Sequence, residues 1–167
     1  MDLGENGENF VNIQADGPVG LYFEDFEIGQ RMVTRGRTIT ESDLVQFAGL
    51  TGDYNPMHTD AHYAQDSLAG QRVAHGMLAL SYAVGQAYQL GFMERTVLTF
   101  RGVEMKFSLP VFIGDTLHVE ITVKEKKEAR RLGGGILDFE VRIVNHDEKV
   151  VQKGIWTVLI ASRESDQ

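Results

Sequence analysis

Val73-Ala74-His75-Gly76-Met77-Leu78-Ala79-Leu80-Ser81-Tyr82-Ala83-Val84-Gly85-Gln86-Ala87-Tyr88-Gln89-Leu90-Gly91-Phe92-Met93 contains no Asp, Glu, Lys or Arg. Its length matches a bilayer crossing. Yet His75, Ser81, Gln86 and Gln89 interrupt it, and no second such stretch exists in the chain. A helix that is apolar nearly all round also fits the core of a globular protein. The stretch therefore reads as a buried helix from about His75 to Leu90, not a membrane span. Gly76, Ala79, Ala83 and Ala87 recur at near-helical spacing. Such a row of small side chains lets other backbone come close, and suits a helix lying inside a curved sheet.

Downstream of Arg95 the period changes. Leu117, Val119, Ile121 and Val123 alternate with polar residues, as do Leu137, Phe139, Val141 and Ile143. Alternation at period two marks half-buried strands. Val97–Phe107 and 150–160 read as two more strands with looser alternation. Pro110 with Gly114-Asp115, Gly133-Gly134-Gly135 and Asn145-His146-Asp147 supply turns between them. Short connections imply antiparallel pairing. A helix-rich first half followed by a run of strands predicts a single α+β domain, here over residues 21–162. Residues 1–20, rich in Gly, Asn, Asp and Glu, read as a flexible N-terminal arm. Met32–Ile39 reads as one further strand, and Tyr22–Phe26 as aromatics packing on a domain edge.

Thr40 followed by Asp43 has the spacing of a helix-starting capping box. Leu44, Phe47 and Ala48 give that helix an inward face, and Gly52 stands where a terminal glycine ends it. Asp53 then begins a loop. Pro56 keeps Asn55 out of helical geometry, so 53–58 is expected to be irregular and rigid. Asp60 caps a short helical turn beyond it.

Composition bounds the function. With 43% hydrophobic and 24% charged residues the chain is ordinary globular protein rather than disordered. The absence of cysteine excludes disulfides, thiolate metal sites and a cysteine nucleophile. A net charge of -8 argues against nucleic acid, although a local basic patch can still hold an anion. The acidic, polar start has neither a signal-peptide nor a transit-peptide pattern, so a cytoplasmic location is expected.

Three segments carry chemistry. They are Gly52-Asp53-Tyr54-Asn55-Pro56-Met57-His58, then Val73-Ala74-His75-Gly76-Met77-Leu78, then Phe107-Ser108-Leu109-Pro110-Val111-Phe112-Ile113-Gly114-Asp115. In this order they resemble the MaoC-like dehydratases, the family of (R)-specific enoyl-CoA hydratases. The resemblance runs from about Phe23 to Ile160. It implies a hotdog fold, an antiparallel sheet wrapped around a long central helix. It implies that Asp53 and His58 are catalytic and that the Gly76 N–H holds the thioester oxygen. Asn55 and His75 complete the expected substrate-binding set. It further implies homodimers with the acyl-CoA along the subunit interface. No cofactor and no metal are expected, coenzyme A entering only as part of the substrate. Some members place a serine further along the central helix. Here that position is Val84, with Ser81 one turn earlier, so the acyl pocket is expected to differ.

Adding water across an α,β-unsaturated thioester requires a base for the water, an acid for the α-carbon and a group that stabilises the carbonyl oxygen. Histidine suits the first role because it titrates near neutrality. An aspartate on the same bent loop can hold the same water and share its protons. Gly76 at a helix start offers an unpaired N–H and, lacking a side chain, close approach. Asn55 is expected to brace the loop through bonds to backbone.

Blander readings stand beside these. Taken alone, Asp53 is a turn residue and His75 a structural histidine bonded to backbone. His58, Asp60 and His62 lie close enough in sequence for a metal, but no fourth ligand accompanies them. The run Lys124, Lys126, Lys127, Arg130 and Arg131 reads as a solvated hairpin end. The sharper alternative is that it, or Arg101 and Lys106, meets the CoA phosphates. Two other functions remain open: acyl-CoA thioesterase, which usually needs a carboxylate on the central helix, and a non-catalytic acyl-CoA-binding module.

Overall fold

Alternation in the second half becomes three long central strands. The computed structural model describes residues 20–163, so the expected N-terminal arm lies outside the described residues except for Gly20. Strands β4 (Thr116–Ala129), β5 (Gly134–Asn145) and β6 (Val150–Ala161) form the middle of one antiparallel sheet. Strand β3 (Val97–Phe107) lies at the edge beyond β6. Short strands β1 (Arg31–Val33) and β2 (Arg37–Thr38) both pair with β4. Val119, Ile121, Leu137, Val141, Ile143, Val158 and Ile160 are fully buried, all on the face toward the helix. The alternation thus reads correctly, face by face.

The single strand expected over Met32–Ile39 is broken in two. Thr34 interrupts it, because its side-chain hydroxyl, not a ladder carbonyl, accepts from the Val119 N–H at 2.9 Å. The glycine triplet also needs correction. Only Gly133 forms the turn, in left-handed geometry (φ 75°), after a 3-10 turn over Arg130–Leu132. Gly134 and Gly135 belong to β5. A Cβ on Gly134 would stand 1.9 Å from the Ile160 carbonyl oxygen, and one on Gly135 would strike the Phe23 ring. These glycines let backbone and ring approach, and do not supply flexibility. Phe23 and Phe26 pack within the core, not at its edge; Phe26, Phe92 and Phe139 meet edge-on with centroids 5.8–6.1 Å apart.

Helix α4 (Gly76–Tyr88) packs on the sheet through Leu78, Ala79, Ala83, Gln86 and Ala87. Its thirteen residues rise about 20 Å, well short of a bilayer's hydrocarbon core. No helix among the described residues is long and apolar enough to cross a membrane. Burial on all sides, expected from the sequence, does not hold. Met77, Ser81, Gly85 and Tyr88 form an exposed stripe on the face away from the sheet. Gln86 is buried because its Nε2 donates to the carbonyls of Arg35 and Leu117.

Helix α1 (Glu41–Thr51) starts as read. Thr40 and Asp43 form a reciprocal capping box, and Gly52 ends the helix at φ 76°. Asp43 does more than cap. Its carboxylate also takes hydrogen bonds from the Tyr82 hydroxyl on α4 and from Arg37 at 3.2 Å. Burial pushes the Asp43 carboxyl up. The hydrogen bonds from Tyr82 and Thr40, with the Arg37 charge, outweigh it and hold the group below the usual carboxylate range. Burial, with Asp43 itself, pushes the Tyr82 phenol up to about 12. The lowered carboxyl contributes stability above its unfolded pKa of about 4 and loses it as pH falls through the folded value. Asp43→Asn is therefore expected to lower Tm at neutral pH and to shrink the drop in Tm below about pH 4. Thermal unfolding across pH would show this; parallel acid limbs in the two proteins would refute it.

Candidate active site

Asp53, His58 and His75 come together from three short pieces of chain. The end of α1 delivers Asp53, α2 (Pro56–Thr59) delivers His58, and the residue before α4 is His75. The loop between is built from serial side-chain caps. Thr51 Oγ1 accepts from the Asp53 N–H, Asp53 Oδ1 from Asn55, and Asn55 Oδ1 from Met57 at the start of α2. Pro56 occupies the first position of that helix, where a missing N–H costs nothing. Asn55 thus braces the loop as expected, with its oxygen committed to backbone. Asp60 in turn caps α3 (Ala61–Gln65) through the N–H groups of His62 and Tyr63.

His58 is buried, and its Nδ1 lies 2.8 Å from the Val73 carbonyl oxygen. A carbonyl only accepts, so Nδ1 carries a proton, and in the neutral ring the lone pair is on Nε2. That lone pair looks toward Asp53 Oδ2 across 3.9 Å, too far for a direct bond. Asp53 is half-exposed. A polar atom seated between them, such as a water oxygen, would reach both groups.

His75 is 3% exposed and places Nε2 2.9 Å from the Asp53 backbone carbonyl. By the same logic Nε2–H donates, which pins the end of α1 to the start of α4. Its Nδ1 is buried without a partner among the described residues. The His58 and His75 rings stack with centroids 3.8 Å apart, and Phe47 packs against His75 with centroids 5.1 Å apart. His75 therefore positions both Asp53 and the His58 ring, which is the structural reading of this residue.

The metal question changes its residues. His58, Asp60 and His62 do not cluster, because Asp60 is spent on capping. Asp53, His58 and His75 do, with donor atoms within 4.8 Å of one another. The His75 nitrogen facing Asp53 gives its proton to a carbonyl, so as arranged the trio offers two free donors. That is fewer than the three protein ligands of a catalytic zinc site.

Gly76 stands at the first position of α4, beside this cluster. Two neighbours were not evident from the sequence. A Cβ on Gly76 would lie 2.8 Å from two carbons of the Phe107 ring. Gln152 Nε2 donates to the Gly76 carbonyl at 2.8 Å. Phe107 and Gln152 are direct cross-strand partners on β3 and β6. The one signal for Gln152 was an uncharged polar residue following Val150-Val151 in an otherwise inward run. The segment after Phe107 also shapes the site. The Ala74 N–H donates to the Val111 carbonyl at 2.7 Å, and Val73 bridges Phe112, which fixes the approach to α4.

The basic run lies at the other end of the sheet. Lys127 pairs through Ile136 with Leu159, roughly 23 Å along β6 from Gln152 at 3.3 Å per residue. Lys126 donates to the Phe26 carbonyl and sits over the Phe23 ring. This supports the hairpin-end reading and leaves Lys106, next to Phe107, as the nearer cation.

These features define a hotdog domain with an Asp–His pair at the helix start. The model of the MaoC like domain matches residues 25–142, and the chain belongs to that family. Protein MaoC of Klebsiella aerogenes is 39% identical over 70% of this chain, which spans about a third (34%) of that relative's length. The (R)-specific enoyl-CoA hydratase of Rhodospirillum rubrum is 36% identical, covering 66% of this chain and 75% of the relative. Among solved structures, the monoamine oxidase regulatory protein from Archaeoglobus fulgius superimposes with a TM-score of 0.82 at 32% identity, over 88% of this chain and 98% of that one. A Mycobacterium tuberculosis protein described as a double hotdog fold superimposes at 0.73 and 21% identity over 87% of this chain and 46% of its own, which shows the fold alone.

Proposed function

We propose that the protein is a hydratase of enoyl-CoA thioesters, or in the reverse direction a dehydratase of 3-hydroxyacyl-CoA. The observation that carries this is His58, anchored through Nδ1 to the Val73 carbonyl with Nε2 3.9 Å from Asp53 Oδ2, so that one water beside them can bond to both. His58 Nε2 takes a proton from that water while its oxygen bonds to the β-carbon. The π electrons move to the thioester oxygen, which the Gly76 N–H receives at the α4 N-terminus, where the helix dipole favours negative charge. The proton held by His58 then passes to the Asp53 carboxylate, which delivers it to the α-carbon as the enolate electrons reform the carbonyl. Net addition is one water, and both groups end as they began. The named hydratase relative supports the same substrate class.

Incubation with crotonyl-CoA tests this directly. Loss of the enoyl absorbance is the expected result. Release of free thiol would favour a thioesterase, although α4 carries no carboxylate. Binding without turnover would favour a pure acyl-CoA-binding module.

We also propose a homodimer formed along β3. This edge strand exposes Leu98, Phe100, Val103 and Phe107, and the α4 stripe adds Met77 and Tyr88. A long apolar edge strand left open invites pairing with another chain. Sedimentation is expected to give twice the mass of one chain, and Val103→Lys to lower it toward one. A monomeric wild-type protein would exclude this.

A further inference from the structure

Gln152 has no ordinary place in the core. It is 1% exposed on the inner face of β6, with Ile143 and Phe107 as its cross-strand partners. Half of its amide makes one bond, to the Gly76 carbonyl, and its Oε1 is buried with no partner among the described residues. Burying an amide with one end unsatisfied is unfavourable, and an apolar side chain of the same size would avoid that cost. The one bond it makes falls on Gly76, the residue that follows His75 at the start of α4.

We infer that Gln152 is a positioning residue, which, together with the Phe107 ring, holds Gly76 in place at the start of α4 and so sets where its N–H stands relative to the developing oxyanion. This rests on the reading of Gly76 as the oxyanion donor. Glycine has the freest backbone of any residue, so a donor on glycine needs external restraint. Two restraints act here from opposite strands. The Phe107 ring lies against the Gly76 Cα, and the Gln152 Nε2–H anchors its carbonyl. Because Phe107 and Gln152 are register partners, the β3–β6 pairing sets both at once. The edge strand is thereby tied to the catalytic end of α4. No part of the clamp touches the reacting atoms, so it acts on the transition state through the geometry of one N–H.

Steady-state kinetics on crotonyl-CoA with Gln152→Met and Gln152→Glu test this, with Tm measured in parallel. Methionine keeps the volume and removes the donor. It is expected to lower kcat about tenfold with KM within about twofold, a fraction of the 10²–10³ lost when a whole oxyanion donor is removed. Glutamate adds a pH signature. Ionised, it sets oxygen against the Gly76 carbonyl; protonated, its O–H donates to it. A carboxyl buried there titrates above its usual range. The ratio of kcat in Gln152→Glu to kcat in Gln152→Met should therefore rise as pH falls. A purely structural glutamine would lower Tm without that ratio changing. Wild-type kcat in folded Gln152→Met, or a flat ratio across pH, overturns the clamp. If glutamate prevents folding, the methionine variant decides by itself. Failure of the wild-type protein to hydrate the thioester would instead count against the hydratase reading.

Discussion

Replacing His58 by asparagine is expected to lower kcat for crotonyl-CoA hydration by on the order of 10²–10⁴, the range for losing a general base. Asparagine is the informative choice. Its side-chain amide can still donate to the Val73 carbonyl, as Nδ1 does at 2.8 Å. What it lacks is the lone pair at the Nε2 position. Alanine would also remove the ring stacked at 3.8 Å on His75, confusing chemistry with packing. Asp53→Asn should produce a loss of similar order, because Oδ1 can still accept from the Asn55 N–H while the charge facing His58 is gone. The two losses should not multiply in the double variant, since both groups serve one water. Folded His58→Asn retaining activity within tenfold of wild type would sink the assignment of the base.

The parts of this site legible in the sequence are those built by local rules. Thr40 with Asp43, Gly52, Asn55 with Pro56, and Asp60 each announce a cap or a turn within four residues, and each stands where read. Asp53 and His58 are legible because only four residues separate them, although the segment expected to be irregular throughout turns helical from Pro56, where proline suits a helix start. The central strands are legible because burial on one face forces alternation. What escaped depends on register or on docking between distant elements. Gln152 meets Gly76 only because α4 lies across the end of β6, which no local pattern encodes. Gly134 and Gly135 looked like a turn because glycine serves both flexible chain and crowded backbone. The break at Thr34 needs a hydroxyl to replace a ladder acceptor on β4. The exposed face of α4 looked buried because a stripe that a second chain can cover has the same composition as one the fold covers itself.

Gly76→Ala is expected to separate stability from catalysis. Position 76 opens α4, and its φ lies outside the left-handed region, so alanine fits the backbone. Alanine in place of glycine favours a helix interior by up to about 1 kcal/mol. Against this stands the Phe107 ring, 2.8 Å from the new Cβ. That ring is 54% exposed in the single chain and must shift to make room, a cost that offsets the helix gain. The two effects nearly cancel, and Tm should change little. Activity should not survive so well. The added methyl stands beside the N–H that receives the thioester oxygen, and the displaced ring no longer braces the residue. A fall in kcat of roughly 10² is expected, near the lower end for losing an oxyanion donor. Adding Phe107→Ala removes the clash without removing the methyl. Because it also removes the brace, kcat should stay low in the double variant while any loss of Tm from the clash is recovered. Wild-type kcat in the folded Gly76→Ala protein would mean that the thioester oxygen is held elsewhere, and the placement of substrate at the start of α4 would fall with it.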